Sequence, residues 1–354
     1  MKNLRILFVA EHYPPHVGGV ETFFFELRKR LIARGHHVDV ITSGNSTVEA
    51  DEGGSIYRVG GGQHSFTFLS IPLVLKLAKR ADIIHTTMYN AAVPAWIGAK
   101  IHGKRSVLSV HEVLGPDFAH VFPGRAYKAR IFGFLEKALL CLNFDHTVAV
   151  SKATQKKLSR KSSVIYHGID SSFKPVRIEH ESIEAKGFEF LYFGRIAGNK
   201  GIWFLLESLK EFYANGGNTK FKLLLSGSAA DFARVEKMIS GISDFVSIKR
   251  SVSRADLPAE IAAADAVVVP SLAEGFGFSA AEAMAMDIPV ILSDAGSLPE
   301  IAGGKHLIFK SEDKTALIEA LEKGAAGEWN ESAKKNFSWN KSADEFEELY
   351  MSLL

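Results

Sequence analysis

Two stretches of this chain begin alike, and that repetition limits the folds open to it. Leu4–Ala10 is a continuous apolar run of the length of a buried parallel strand. A loop with Pro14, Pro15, Gly18 and Gly19 follows. Val20, Phe23, Phe24, Leu27 and Leu31 then recur at helical spacing, with Gly35 as the stop and Val38–Thr42 as the next strand. The second stretch starts at Phe188–Gly194 and turns through Gly198 and Gly201. It continues as a helix over Ile202–Tyr213 and a strand over Phe221–Gly227. Strand, glycine turn, helix, strand is the opening of a doubly wound sheet.

Both runs keep alternating. Strands are expected at Ile83–Thr87, Ser106–His111, Thr147–Val150 and Ser163–Tyr166, with helices around Ser70–Lys79, Ala91–Ile101, Arg125–Leu142 and Ser151–Ser159. Past a linker-like stretch with Ser171, Ser172 and Pro175, the second run adds strands at Val246–Ile248, Ala266–Pro270 and Val290–Leu292. Its helices fall at Asp231–Ile239, Asp256–Ala263 and Ser279–Met286, and helices around Lys314–Lys323 and Ser342–Leu353 finish the chain. At roughly 150 residues per domain, 354 residues predict two. The expected class is α/β: two doubly wound Rossmann-like domains, 1–168 and 169–339, facing a central cleft. The helix about 340–354 is expected to pack back on the first. Ligands then sit beyond the carboxyl ends of the strands.

Composition removes other classes. With 47% hydrophobic and 23% charged residues the chain is neither disordered nor fibrous. The single Cys141 excludes an intrachain disulfide and any multi-thiolate metal site. The apolar run after Met1-Lys2-Asn3-Leu4-Arg5 stops at Glu11, short of a signal peptide, and no window approaches a membrane span. A cytoplasmic protein is expected. Net charge is +9 over 1–170 and −7 over 171–354, as two domains with different partners would show, although compositional drift does the same.

Four groups of residues carry chemistry. Gly194-Arg195-Ile196-Ala197-Gly198-Asn199-Lys200-Gly201 lies between a strand and a helix, and the helix start points N–H groups where Arg195 and Lys200 point positive charge. A planar fork and a compact ammonium suit a diphosphate; read alone, the same turn fits an ordinary βα connection. In the segment from Pro270 to Glu282, Glu274 falls in a tight loop with Gly275 and Gly277, and Glu282 on the following helix among alanines. Carboxylates there suit the hydroxyls of a ribose or sugar, or are simply solvated. Gly18-Gly19, with Glu21 in the next turn, and His111, ending an apolar strand at Ser109-Val110-His111-Glu112, each fit a ligand role or a structural one.

Together these residues resemble the retaining, nucleotide-sugar-dependent glycosyltransferases of family 4, which have the two-Rossmann GT-B fold. The Gly194–Gly201 block is similar to the family's phosphate loop, and the Pro-Ser…Glu-Gly-Phe-Gly…Glu-Ala segment at 270–283 to its paired-glutamate signature. His-Gly-Ile-Asp at 167–170, Leu298-Pro299-Glu300-Ile301 after Pro289–Ser293, and Pro-Pro…Gly-Gly-Val-Glu at 14–21 extend the likeness over nearly the whole chain. The resemblance implies that Gly194, Arg195 and Lys200 hold the donor diphosphate, and that Glu282 bonds the ribose. Glu274 and the backbone of Gly275, Phe276, Gly277 and Phe278 would contact the sugar. Gly18 and Gly19 would approach the diphosphate or acceptor, His111 the sugar, and Arg250 and Val252 the base. Gly227 belongs to the same donor side, but Ser226-Gly227-Ser228-Ala229 lacks the acidic residue that often follows the glycine. The substrate implied is a UDP-, GDP- or ADP-sugar and the acceptor a glycan or lipid-linked molecule. No cofactor or metal is expected, since Arg195 and Lys200 supply the positive charge and no Asp-x-Asp pair stands at a suitable turn.

Charge in the first half gathers at Arg28-Lys29-Arg30 with Arg34, at Lys100, Lys104 and Arg105, and between Lys152 and Lys161. Arg125–Leu142 places Ile131, Phe132, Leu135, Ala138, Leu139 and Leu142 at helical spacing, with Lys128 and Arg130 among them. Those apolar residues either face the core, as is usual in a doubly wound domain, or touch anionic membrane at its inner face or a lipid-linked, phosphate-bearing acceptor. No nucleic acid is expected, because no basic-aromatic platform accompanies the charge. A dehydrogenase is disfavoured because Gly18-Gly19 is no G-x-G-x-x-G run. The alternatives that remain are a nucleotide-sugar epimerase of the same fold and a non-catalytic nucleotide-sugar-binding protein.

Overall fold

The computed structural model describes residues 3–16, 18–61, 65–175, 187–250 and 252–354. These form two compact units: Met1–Gly115, Arg130–Gly168 and Phe337–Leu354 make the first, Pro116–Ala129 and Ile169–Asn336 the second. The segment 116–129, which lies inside the first βα run, thus belongs with the second unit.

The first unit holds an eight-stranded sheet. Its strands are β1 (Arg5–Val9), β2 (His37–Ser43), β3 (Thr47–Asp51), β4 (Gly54–Val59), β5 (Ile83–Thr87), β6 (Arg105–Val110), β7 (His146–Ala149) and β8 (Ser163–Val164). Their order is β3-β4-β2-β1-β5-β6-β7-β8, parallel except for β3 against β4. The central strands are largely apolar because helices cover both faces, so Ile6, Phe8, Val40, Ile83 and Val107 are all buried. The β3–β4 hairpin lacks such a signal, since every residue of β3 is exposed. It is tied to helix α1 (Gly19–Ala33) by Arg28, whose guanidinium pairs with both Asp51 oxygens at 2.7 and 2.9 Å while Nε donates to the Val38 carbonyl. Arg30 bonds Glu26 and Asn340, and Arg34 pairs with Asp344 and Glu347. The arginines of the basic cluster at α1 are therefore consumed in ion pairs.

Helix α2 (Ala126–Leu140) is turned the opposite way from a core helix. Its one fully buried residue is Glu136, whose carboxylate accepts bonds from the Leu114 and Gly115 amides (3.0 and 2.7 Å) and from the Tyr89 hydroxyl (3.0 Å). Leu139 and Leu140 pack beside the cluster of Val110, Val113 and Phe144. Tyr127, Ile131, Phe132, Phe134 and Leu135 are exposed, Phe134 by 71%. The stripe is therefore divided: Leu139 and Leu142 face the core as is usual, whereas Ile131, Phe132 and Leu135 do not.

The second unit holds β9 (Glu189–Arg195), β10 (Lys220–Ser226), β11 (Val246–Arg250), β12 (Ala266–Val269), β13 (Val290–Ser293), β14 (Gly304–Phe309) and β15 (Asn330–Ser332). Their order is β11-β10-β9-β12-β13-β14-β15, with only β15 antiparallel. Helix α3 (Ile202–Ala214) buries Ile202, Leu205, Leu206 and Leu209 on the sheet, and α4 (Phe278–Ala285) buries Ala280, Ala281 and Ala283. The chain then returns to the first unit as α5 (Trp339–Leu353), started by Ser338 and packed on α1 through Phe346 and Tyr350. Among the described residues no helix is long and apolar enough to cross a membrane.

Candidate active site

In the second unit the strand order reverses between β9 and β12, where a doubly wound sheet leaves a crevice beyond its carboxyl ends. β9 ends at Arg195 and β12 at Val269, and each feeds a glycine-bearing turn and then a helix. The two turns are joined. Leu272 and Ala273 donate to the Asn199 carbonyl at 2.8 and 3.2 Å. Gly201 has φ +71°, and a Cβ there would collide with the Pro270 carbonyl. From the other side the His120 carbonyl, in the 116–129 segment, lies against Gly198 and leaves no room for a methyl group.

Lys200 rises from this rim. Its Nζ donates to both carboxylate oxygens of Glu274 at 2.9 Å, and Ser271 Oγ donates to the same carboxylate at 3.0 Å. Arg195 is exposed on the same rim, without an ion pair among the described residues. Because α3 and α4 both begin here, the first-turn amides and positive dipole ends of two helices meet one edge of the sheet. Gly194 precedes Arg195, and Gly275 to Phe278 lead into α4.

Glu282 lies within α4 and is buried; its carboxylate meets Arg254 Nη1 at 2.6 Å. Burial pushes the carboxyl up to about 7, Arg254 opposes that, and nearby Asp170 adds to it. Arg254 itself lies 4.5 Å over the Phe173 ring. Gly227 and Arg250 fall on successive strands toward the sheet edge, and half-buried Val252 follows β11. Arg250 pairs with Glu236 and covers Phe232 at 4.4 Å. Ser228 caps the helix Ala229–Ile239 through a reciprocal pair with Asp231, so the nearest acidic residue after Gly227 serves that helix start. The structure thus places Gly194, Arg195, Lys200, Glu274, Gly275–Phe278 and Glu282 at the ends of two adjacent strands and in the turns and helix that follow them, and leaves Gly227, Arg250 and Val252 farther out. Arg254 had escaped sequence reasoning, because nothing in Ser253-Arg254-Ala255 points to a partner on α4.

The first unit's strand ends hold a different set. His111, just past β6, has Nδ1 3.1 Å from Nε2 of His167, with the two rings stacked at 5.1 Å and Phe23 of α1 5.0 Å from each. Burial pushes His111 down to about 3, and its buried Nε2 has no hydrogen-bond partner among the described residues. His85 is held well below its ordinary value by burial, with its nitrogens on the Tyr350 hydroxyl (2.6 Å) and Ser109 Oγ (2.7 Å). His167 is held down likewise, by burial and by His111. All three imidazoles are neutral at pH 7. Gly18 and Gly19 start α1, one turn before Phe23, and the Glu21 carboxylate folds back over Gly18.

Two families match this chain. "Glycosyltransferase Family 4" covers residues 17–173 and "Glycosyl transferases group 1" residues 187–325, so the second match holds the Lys200–Glu274 rim and the first the histidine end. The chain is a family 4-type glycosyltransferase. Among the relatives of this glycosyltransferase is an uncharacterised glycosyltransferase of Methanocaldococcus jannaschii, 27% identical over 84% of this chain and 82% of its own. A GDP-mannose:cellobiosyl-diphosphopolyprenol alpha-mannosyltransferase of Xanthomonas campestris is 26% identical over 90% and 87%. The fold is that of sucrose-phosphate synthase from Thermosynechococcus elongatus (TM-score 0.80, 22% identity, 99% of each chain). It is also that of Anabaena HepE, solved with UDP and glucose (TM-score 0.76, 20% identity, 99% of this chain and 100% of that one). Both are GT-B structures, and the two family matches, not the shared fold, place the enzyme among the glycosyltransferases.

Proposed function

We propose that this enzyme moves a sugar from a UDP-, GDP- or ADP-sugar to a glycan or lipid-linked acceptor with retention of anomeric configuration. The observation that carries the donor half is the Lys200–Glu274–Ser271 cluster beside Arg195, at the switch point of the second sheet. When the anomeric C–O bond breaks, charge grows on the departing diphosphate. Arg195, Lys200 and two helix starts meet that charge, and such preorganised donors stabilise the transition state more than the ground state. Glu274, held by Lys200 and Ser271, faces the sugar hydroxyls. Glu282 bonds the ribose, exchanging its Arg254 contact for hydroxyl donors. Arg195 and Lys200 stand in for a metal ion, so chelation by EDTA should leave turnover unchanged.

The state of His111 speaks against this imidazole as the base of an inverting reaction. A base opposite the leaving group would need a pKa near the working pH, whereas burial holds this imidazole at about 3. Its neutral ring instead makes a hydrogen bond to the sugar. The acceptor oxygen attacks C1 from the side the diphosphate leaves, and its proton passes to the departing phosphate oxygen. The Xanthomonas relative, whose name gives a diphosphopolyprenol acceptor, supports a lipid-linked acceptor.

Thermal-shift measurements with UDP, GDP, ADP and their sugar conjugates test the reading. One nucleotide series should raise the melting temperature and identify the donor base. If none does so at millimolar concentration, the donor assignment is wrong.

A further inference from the structure

We propose that the outward face of α2 is a docking surface for an anionic lipid bilayer. This rests on the helix itself and needs no assumption about the donor.

A helix at about 100° per residue puts Tyr127, Ile131, Phe134, Leu135 and Ala138 on one face. The first four are exposed, Phe134 by 71% and Tyr127 by 62%. Arg130 and Lys137 flank that face on one side and Lys128 on the other, with Arg125 at the start. Glu136, the only acidic residue of the helix, lies at the opposite pole and is buried. An ordinary surface helix buries its apolar stripe and shows its charges. This one buries its carboxylate and shows its aromatics.

The arrangement is also fastened. The Glu136 carboxylate is committed to two backbone amides and a tyrosine hydroxyl, so rolling the helix inward would strand three donors and a charge. Exposure is therefore built into the fold. Charge selects what covers the face. Arg125, Lys128, Arg130 and Lys137 have no ion pair among the described residues, whereas the arginines of α1 are all paired. A second copy meeting this face about a two-fold axis would bring like charges together. An anionic bilayer satisfies both parts: rings and aliphatic chains enter the acyl boundary, and the flanking cations reach the headgroups. The clamp also matters for chemistry. Leu114 and Gly115, which Glu136 holds, continue from the strand end that carries His111. A lipid-linked acceptor in the same membrane would be presented to a strand end bolted to the docking helix.

The test is sedimentation of the full chain with phosphatidylcholine vesicles and with phosphatidylcholine–phosphatidylglycerol vesicles. Wild type should bind the anionic vesicles at low salt, release them at high salt and ignore the neutral ones. Phe134→Asp should bind roughly tenfold more weakly, with an unchanged melting temperature because the residue is exposed. Lys128→Glu with Lys137→Glu should weaken binding to anionic vesicles by roughly tenfold or more. The proposal is overturned if wild type stays in the supernatant with anionic vesicles at low salt. It is equally overturned if Phe134→Asp binds as well as wild type, or if light scattering finds a dimer that Phe134→Asp splits.

Discussion

The two sheets share one winding and differ in what they place at their strand ends. The second sheet ends in Arg195, Lys200, Glu274 and the Arg254–Glu282 pair, a rim built from ionisable side chains. The first ends in two neutral imidazoles, His111 and His167, packed on Phe23, with a third, His85, buried behind them in the middle of β5 beside Phe346 and Tyr350. A doubly wound sheet decides where a ligand can sit; whether the place suits a diphosphate or uncharged hydroxyls is decided by a few side chains. The charged end fits a nucleotide sugar's anion, the neutral end groups that need orienting more than neutralising.

The sharpest way to break this contrast is Lys200→Ala. On the proposed reading it removes a cation from the leaving group and strands Glu274, so kcat/KM should fall by at least ~100-fold; near-normal turnover would show that the charged end is not used for chemistry. Next comes Glu282→Gln. A carboxyl raised from 4.5 to about 7 costs nothing below pH 4.5, costs progressively more up to 7, and above that its charge costs on the order of 3 kcal/mol at ~1.4 kcal/mol per unit. The amide variant should therefore melt higher than wild type at pH 8, with the difference vanishing by pH 4.5, while losing the pH-dependent part of donor binding. Equal melting curves at pH 8 would mean the carboxylate is comfortable where it is.

At the neutral end, His167→Asn should lower kcat by about tenfold with little change in donor KM, because His167 orients the His111 ring and touches no diphosphate. A KM effect instead would place that histidine on the charged side of the comparison. The smallest effect belongs to Tyr350→Phe, which deletes the bond to His85 and should cost about 1–2 kcal/mol in chemical denaturation without altering turnover.

Much of this was legible before any coordinates. The apolar runs predict β1, β2 and β5 to β13 within a residue or two, since a strand covered on both faces is mostly apolar, whereas β14, with exposed residues alternating along it, and the short exposed β15 give no such run. β3 and β4 are not legible: they form a hairpin at a sheet edge in which β3 is wholly exposed and β4 reaches the core only through Tyr57 and Val59. In α2 the spacing leaves the direction open, because an apolar stripe of period 3.6 looks the same whether core or surroundings receive it. Glu136 was the clue, a lone acid opposite the stripe. Glycines, cations and glutamates marked both turns of the donor rim, yet their joining rests on Asn199 and Pro270 backbone atoms, which no side-chain pattern reports. Nor does a run of arginines in α1 disclose that its neighbours neutralise it.

The return of α5 to the first unit orders the chain's own assembly. Every strand of the second sheet leaves the ribosome before Trp339, Phe346 and Tyr350, which the earlier-made unit needs to cover Phe23 and His85. Translation normally lets the N-terminal body finish first. Here the later-made body can close while its predecessor waits, half-covered, for the last helix to be synthesised.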